Sequence, residues 1–346
     1  MSEDTTGFDL ATGTVDEAQE MVGATSERFS SAEPINRSRI QFFASLIEDS
    51  NPSFWDEGFA KRQWGGFYAP LGMLRVWRLK PLWHPGQDDH LGSVTYPTDV
   101  PLPARFDNVI NIRTTETSHR PALAGTRLHW QAELLDVTEE KSTGLGDGHF
   151  ITTRTVFTND DGLEVGEYEN VMLRHESSGD ADADHEPVTE NRAPTEGSDV
   201  ELTEADYDSI TVDQVEEGVD LPSYDYPLSY RRIIHNVAAT RDFFPGHYDP
   251  MYARSQGNRS IFLNTMTFQG LIDRLALDWA GPAWRVTERT ISMEGSAIAG
   301  DNLTVQGSVT DVDRDGRTIE IEGGVFSENH ERVICPTTVT ITRGSE

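Results

Sequence analysis

The stretch IFLNTMTFQGLIDRLALDWAG, residues 261–281, is apolar on nearly every face when wound as a helix. A helix of that kind must be buried, so the segment predicts a central helix that the rest of its domain encloses. After it come IAGDNLTVQGSVTDV (298–312) and EGGVFSENHERVI (322–334), which alternate apolar with polar residues, carry β-branched side chains and are bounded by turn residues. These read as antiparallel strands. Before it comes an amphipathic stretch, YRRIIHNVAATRD (230–242), which ends where an Asp-x-x-Pro element opens a turn.

The same series occurs earlier in the chain. RSRIQFFASLIED (37–49) is amphipathic and also runs into Asp-x-x-Pro, FYAPLGMLRVWRL (67–79) reads as an apolar helical segment, and strands follow. LAGTRLHWQAELLDV (123–137) shares with 298–312 an Ala-Gly pair, a leucine three positions later and a closing Asp-Val, and TRTVFTNDDGLEV (153–165) continues the match to 322–334. The chain therefore predicts a repeat of two modules, residues 14–176 and 207–346, after a flexible tail at 1–13. Between them, 177–206 is rich in acid, Pro, Gly and Ser with too few apolar residues to offset ordering entropy, and reads as an acidic linker. Two modules, each an antiparallel sheet wrapped around a central helix, give the α+β fold class in double-hotdog form, with an internal pseudo-dimer in one chain.

Composition narrows the function. The 346 residues carry 59 acidic against 28 basic side chains, a formal charge of −31, which disfavours nucleic acid and anionic membrane surfaces as partners. Lys61, Lys80 and Lys141 are the only lysines. An acidic, lysine-poor surface suits molar salt, where charge repulsion is screened within about 3 Å, and predicts a halophilic protein. Cys335 is the only cysteine, so neither an intrachain disulfide nor a multi-thiolate zinc site is open to this sequence, and a cytoplasmic location is expected. No leader-like N-terminus and no apolar run long enough to cross a bilayer is read from the sequence.

Two turns pose the functional question. ATRDFFPGHYDPMYA (239–253) sets Asp242 five residues before His247 around Pro245, whereas LIEDSNPSFWDEGFA (46–60) repeats the pattern with Phe54 at the histidine's position. The run Asp242 to His247 resembles the Asp-x-Asn-Pro-x-His signature of MaoC-like (R)-specific enoyl-CoA hydratases and 3-hydroxyacyl-CoA dehydratases. The wider stretch DYPLSYRRIIHNVAATRDFFPGHYDPMYARSQGNRSIFLNTMTFQGLIDRLALDWAGP (225–282) is similar to MaoC-like subunits that hydrate unsaturated side-chain thioesters. The first half resembles the dehydratase-like module that accompanies such domains. Two departures stand out: Phe244 replaces the usual asparagine, and the start of the central helix reads Asn264, Thr265, Met266 where His-Gly-Met is frequent.

The resemblance implies a hydro-lyase that adds water to a trans-2-enoyl-CoA, or removes it from a 3-hydroxyacyl-CoA, with acyl-CoA as substrate partner and no cofactor or metal. It assigns the acid/base roles to Asp242 and His247 and puts an oxyanion-binding backbone amide near Thr265, with Asn264 beside it. Hydration needs these parts: a base for water, a proton for the α-carbon, and donors for charge developing on the thioester oxygen. With Asp49 retained but Phe54 in place of histidine, the first module is expected to have lost catalysis, to wall the acyl chain and to have a widened pocket. His84, His90, His119, His129, His149 and His235 show no ligand spacing, and Trp77 and Trp83 are expected in the core. A hotdog thioesterase and a non-catalytic acyl-CoA-binding subunit are the alternative readings.

Overall fold

The structure, a computed structural model, describes residues 10–81, 83, 85, 100–176, 202–255, 257–328 and 333–344. Its helices are α1 (Val15–Glu20), α2 (Arg37–Ile47), α3 (Pro52–Trp55), α4 (Glu57–Trp64), α5 (Tyr230–Thr240), α6 (Pro250–Ser255) and α7 (Thr265–Ala280). In the first module the strands are β1 (Phe29–Ser30), β2 (Tyr68–Ala69), β3 (Asn108–Ser118), β4 (Ala122–Leu123), β5 (His129–Val137), β6 (Lys141–Thr143), β7 (Gly146–Thr158) and β8 (Glu164–His175). The second module has β9 (Tyr224–Pro227), β10 (Trp284–Ser292), β11 (Asn302–Asp313), β12 (Thr318–Ser327) and β13 (Val333–Arg343).

One eleven-stranded sheet runs through both modules in the order β1-β5-β7-β8-β3-β10-β13-β12-β11-β9, with β6 beside β7. Each half of that order mirrors the other about the β3–β10 junction. There Thr115 faces Thr290, their hydroxyls 3.0 Å apart, and the pairing runs from Glu288 opposite Thr117 to Ser292 opposite Arg113. The repeat read from sequence extends to irregularities. Pairing of β5 slips between Leu134 and Asp136 and that of β11 between Val309 and Asp311, which are matched positions of the two aligned stretches. β3 slips between Asn111 and Arg113, and β10 between Val286 and Glu288. A bulge re-aims the residues beside it, so its recurrence in both modules means that one backbone plan is used twice.

Helix α7 lies against the sheet as its all-round apolarity requires: Met266, Phe268, Leu271, Ile272, Leu275, Ala276 and Leu277 are all buried. Gly270 allows α2 to come close, since a Cβ there would stand 2.8 Å from the Phe43 ring. The first module departs from the expected helix over 67–79. Tyr68–Ala69 pairs with Ala122–Leu123 as a two-stranded ribbon, and Leu71–Arg78 is a 3₁₀ helix. Pro70 begins that segment and Pro81 follows it, so proline confines the apolar run to a piece too short for a second long central helix. Its Met73, Leu74, Val76 and Trp77 nevertheless fill the common core, whereas Trp83, expected in the core, is 54% exposed.

The amphipathic helices α2 and α5 are capped alike, by Asn36 accepting from the Arg39 amide and Ser229 from the Arg232 amide. Both end on a non-glycine residue in the left-handed region, Glu48 at φ 56° and Arg241 at φ 58°, a conformation that costs about 1 kcal/mol or more. Ion pairs across the modules hold both: Glu48 with Arg232, and Arg241 with Glu33. The residue after each is the aspartate of its module. At the N-terminal side, Thr12 bridges Leu102 and α1 covers a small satellite cluster of Ala18, Val100, Leu102, Phe106, Leu134, Val137 and Ile151. Residues 177–201 of the expected linker lie outside the described residues, and Glu204–Tyr207 forms a 3₁₀ turn.

Candidate active site

The chain leaving α5 reverses at Arg241 and forms a 3₁₀ turn at Pro245–His247, closed by the His247 amide donating to Phe244 O at 2.9 Å. Gly246 is required here, because a Cβ would stand 2.6 Å from the Phe262 ring. That close approach brings the imidazole of His247 onto the backbone of Phe262, where Nδ1 lies 2.8 Å from the carbonyl oxygen. A carbonyl only accepts, so Nδ1 carries the hydrogen and proton exchange is left to Nε2. Nε2 faces Asp242, 3.5 Å from Oδ2. Phe244 and Phe262 meet the imidazole edge-on, at centroid distances of 5.4 and 4.9 Å. Phe244, the departure from the signature asparagine, thus serves as an apolar wall of the histidine.

Asp242 is held from the start of α7. Asn264 is the N-cap of that helix: its Oδ1 accepts from the Thr267 amide at 3.0 Å, while Nδ2 donates to Thr240 Oγ1 at 2.8 Å and to Asp242 Oδ2 at 3.3 Å. Thr267 Oγ1 in turn donates to Asn236 Oδ1 at 2.5 Å. Asn264 is 2% exposed, with its amide engaged at both ends on the Thr267 amide, Thr240 and Asp242. With the Thr267 amide occupied, the amides of Thr265 and Met266 are the helix-start donors that have no intrahelical acceptor. Burial pushes the Asp242 carboxyl up, but the imidazole of His247, the charge of Arg75 and the Phe244 amide outweigh it and leave the group below its ordinary value.

Arg75 belongs to the other module, and it is not alone. Asn111, on β3, donates to Thr265 Oγ1 at 3.2 Å, so the first module touches the start of α7 directly. Sequence reasoning missed both residues. The signal available was a polar residue in the strand NVINIRTTETS, which by itself does not say what it faces.

The corresponding turn in the first module is built differently. Asp49 accepts from the Asn51 amide at 2.8 Å, Asn51 Oδ1 from Ser53 N at 2.9 Å, and Phe54 is 1% exposed with its ring tilted against Tyr68. Burial raises Asp49 to about 7, the Asp278 charge adding to the shift and the Asn51 amide and Arg274 opposing it. The space beside Tyr68, lined also by Leu71, Arg285 and Val286, is about 10 Å³, barely one water. Asp49 and Phe54 do not line this space.

Of the other histidines, His84 and His90 lie outside the described residues. His129 pairs with Asp160 and contacts Ser30, His149 is buried with Nδ1 on Thr138 O, and His235 lies against Phe42. His119 meets Glu164 and Glu167 at the surface, where Arg154 already pairs with Glu167. No helix among the described residues is long and apolar enough to cross a membrane.

A family model described as "FAS1-like, dehydratase domain region" matches residues 20–168. The beta subunit of 3-oxo-4,17-pregnadiene-20-carboxyl-CoA hydratase from Mycobacterium tuberculosis is 35% identical over 91 residues, which are 26% of this chain and 70% of that protein. The alpha subunit is 33% identical over 128 residues, 36% of this chain, and the match spans 40% of that protein. Among solved structures, a MaoC-like dehydratase superposes with a TM-score of 0.69 at 19% identity, covering 95% of this chain and all of that one. A conserved hypothetical protein of Mycobacterium tuberculosis with a double hotdog fold gives 0.58 at 13% identity, over 96% and 98%. The superpositions agree with the mirrored sheet, and the identity to the beta subunit extends the likeness from fold to sequence: the chain belongs to the MaoC-like hydratases and dehydratases, in double-hotdog form.

Proposed function

We propose that the chain is a cytoplasmic hydro-lyase that reversibly hydrates a trans-2-enoyl-CoA to a 3-hydroxyacyl-CoA, with Asp242 and His247 as the acid/base pair and the amides at the start of α7 as the oxyanion site. The observation that carries the reading is the facing of Asp242 Oδ2 and His247 Nε2 at 3.5 Å, with Nδ1 tied to a carbonyl. That separation suits two acceptors sharing one water. Both hydrogens of the water are then engaged, and its oxygen lone pair is free to attack.

As the water oxygen bonds to the β-carbon, one member of the pair takes its proton and the C=C electrons move toward the thioester carbonyl. The negative charge on that oxygen falls to the Thr265 and Met266 amides, whose position at a helix N-terminus favours it. A proton from the pair then reaches the α-carbon, so that H and OH have been added and the enzyme is restored. Dehydration is the same path reversed. Similarity to hydratase subunits supports the reaction class.

The test is an assay in molar KCl on a short trans-2-enoyl-CoA and a bulky polycyclic one, following loss of the conjugated thioester and formation of the 3-hydroxy product. Release of free CoA thiol would make it a thioesterase, and binding without turnover of any enoyl-CoA would make it a binding subunit.

A further inference from the structure

The first module has lost its histidine, yet its residues reach the second module's site. Asn111 Nδ2 donates to Thr265 Oγ1 at 3.2 Å and to Thr114 Oγ1 at 3.1 Å. Thr114 Oγ1 donates to Asn170 Oδ1 at 3.2 Å, which also accepts from Tyr168 OH at 2.9 Å. The guanidinium of Arg75 lies over the Tyr168 ring, 5.4 Å from its centre. Thr114, Tyr168 and Asn170 are each less than 5% exposed. Burying so many polar groups is costly unless they are satisfied, and here they are joined into one chain that ends at the helix start.

The pseudo-symmetry supplies a control. Since Thr115 faces Thr290 at the axis, the counterpart of Asn111 on β10 is Val286, and the slip in pairing beside each confirms the match. The residue paired with Thr114 is Asn170, whereas the one paired with its counterpart Arg289 is Val339. The fold of the repeat thus accepts valine at both places. Asparagine occurs where the strand faces the site that keeps its histidine, and valine where it faces the silent one.

We infer that the silent module is a working part of the second site, with Asn111 as a positioning residue that fixes the start of α7 through Thr265. The same helix start carries Asn264, which donates to Asp242 Oδ2. The inference rests on the acid/base reading above.

The experiment uses the full chain in molar KCl, with kcat and KM for one enoyl-CoA measured across pH for wild type, Asn111→Val and Asp242→Asn, and with the melting temperature of each. Asn111→Val, which copies the counterpart position, is expected to lower kcat about tenfold or more while KM changes less and the pH profile stays in place. A wild-type kcat in Asn111→Val, or a loss that follows a lowered melting temperature, overturns the inference. Asp242→Asn separates the two failures. If it retains activity, the acid/base reading falls; if it is inactive while Asn111→Val behaves as wild type, only the role of the silent module falls.

Discussion

Replacing Asp49 with asparagine should leave turnover nearly unchanged and alter how stability depends on pH. The carboxyl is 4% exposed, accepts from the Asn51 amide and is raised to about 7 from an ordinary value near 4. A carboxyl whose folded value is raised binds its proton more tightly in the native state, so its contribution is present at pH below about 4 and is lost as pH rises through about 7. Three pH units at about 1.4 kcal/mol each set the amount at about 4 kcal/mol. Asparagine fits the same space and keeps an oxygen for the Asn51 amide but does not ionise. The stability of the variant minus that of wild type should therefore climb by at least about 4 kcal/mol between pH 4 and 8, because losing the Asp49 charge also removes its repulsion of the buried Asp273 carboxyl on α7. Urea unfolding at fixed molar KCl across that range measures it, alongside kcat/KM. A difference that is flat in pH would show that Asp49 is not held protonated by burial. A rate lost in Asp49→Asn and spared in Asp242→Asn would reverse which module works.

Three further outcomes follow from features already described. Asp242→Asn and His247→Ala should each lower kcat by about 10²-fold or more with the melting temperature little changed, and retention of more than about a tenth of the activity in both would remove them as the acid/base pair. Met73, fully buried in the core, should on replacement by alanine cost about 2–5 kcal/mol of stability in urea unfolding while the ratio of kcat/KM for short and bulky enoyl-CoAs stays constant. A changed ratio with unchanged stability would instead mean that this segment lines the acyl path. With a net charge of −31, the melting temperature should rise from low salt to molar KCl, and a flat or falling curve would count against salt adaptation.

The parts legible in sequence were those governed by local pattern. The all-round apolarity of 261–281 gave α7, alternation gave the strands, and the Ala-Gly, leucine and Asp-Val spacing led to two modules whose bulges then matched. Asp242 and His247 were legible because five residues around one proline bring them together. The 3₁₀ helix at Leu71–Arg78 was not, since its apolar content matches that of a helix and only Pro70 and Pro81 argue against length. Nor was the role of Asn264 readable as cap and anchor together, because its two partners, Thr267 and Asp242, lie on opposite sides of it in sequence. Asn111 and Arg75 were beyond reach: what Asn111 faces is decided by the pairing of β3 with β10, a contact between parts of the chain far apart in order, and what Arg75 faces by the packing of the 3₁₀ segment on Tyr168 of β8.

That junction also sets a problem in time. β3 ends at Ser118 and its partner begins at Trp284, so at a synthesis rate of about 5–20 residues per second roughly 170 residues, or some ten to thirty seconds, separate the emergence of the two strands. From the emergence of β8, which ends at His175, until that of β10, β3 has β8 on one side and nothing from its own chain on the other. A waiting edge is a template for any strand that arrives first, including β3 of a neighbouring nascent chain. Its sequence, NVINIRTTETS, is mostly polar, with Arg113 and Glu116 near the future axis, which is a poor offer to a like strand and leaves the edge for β10.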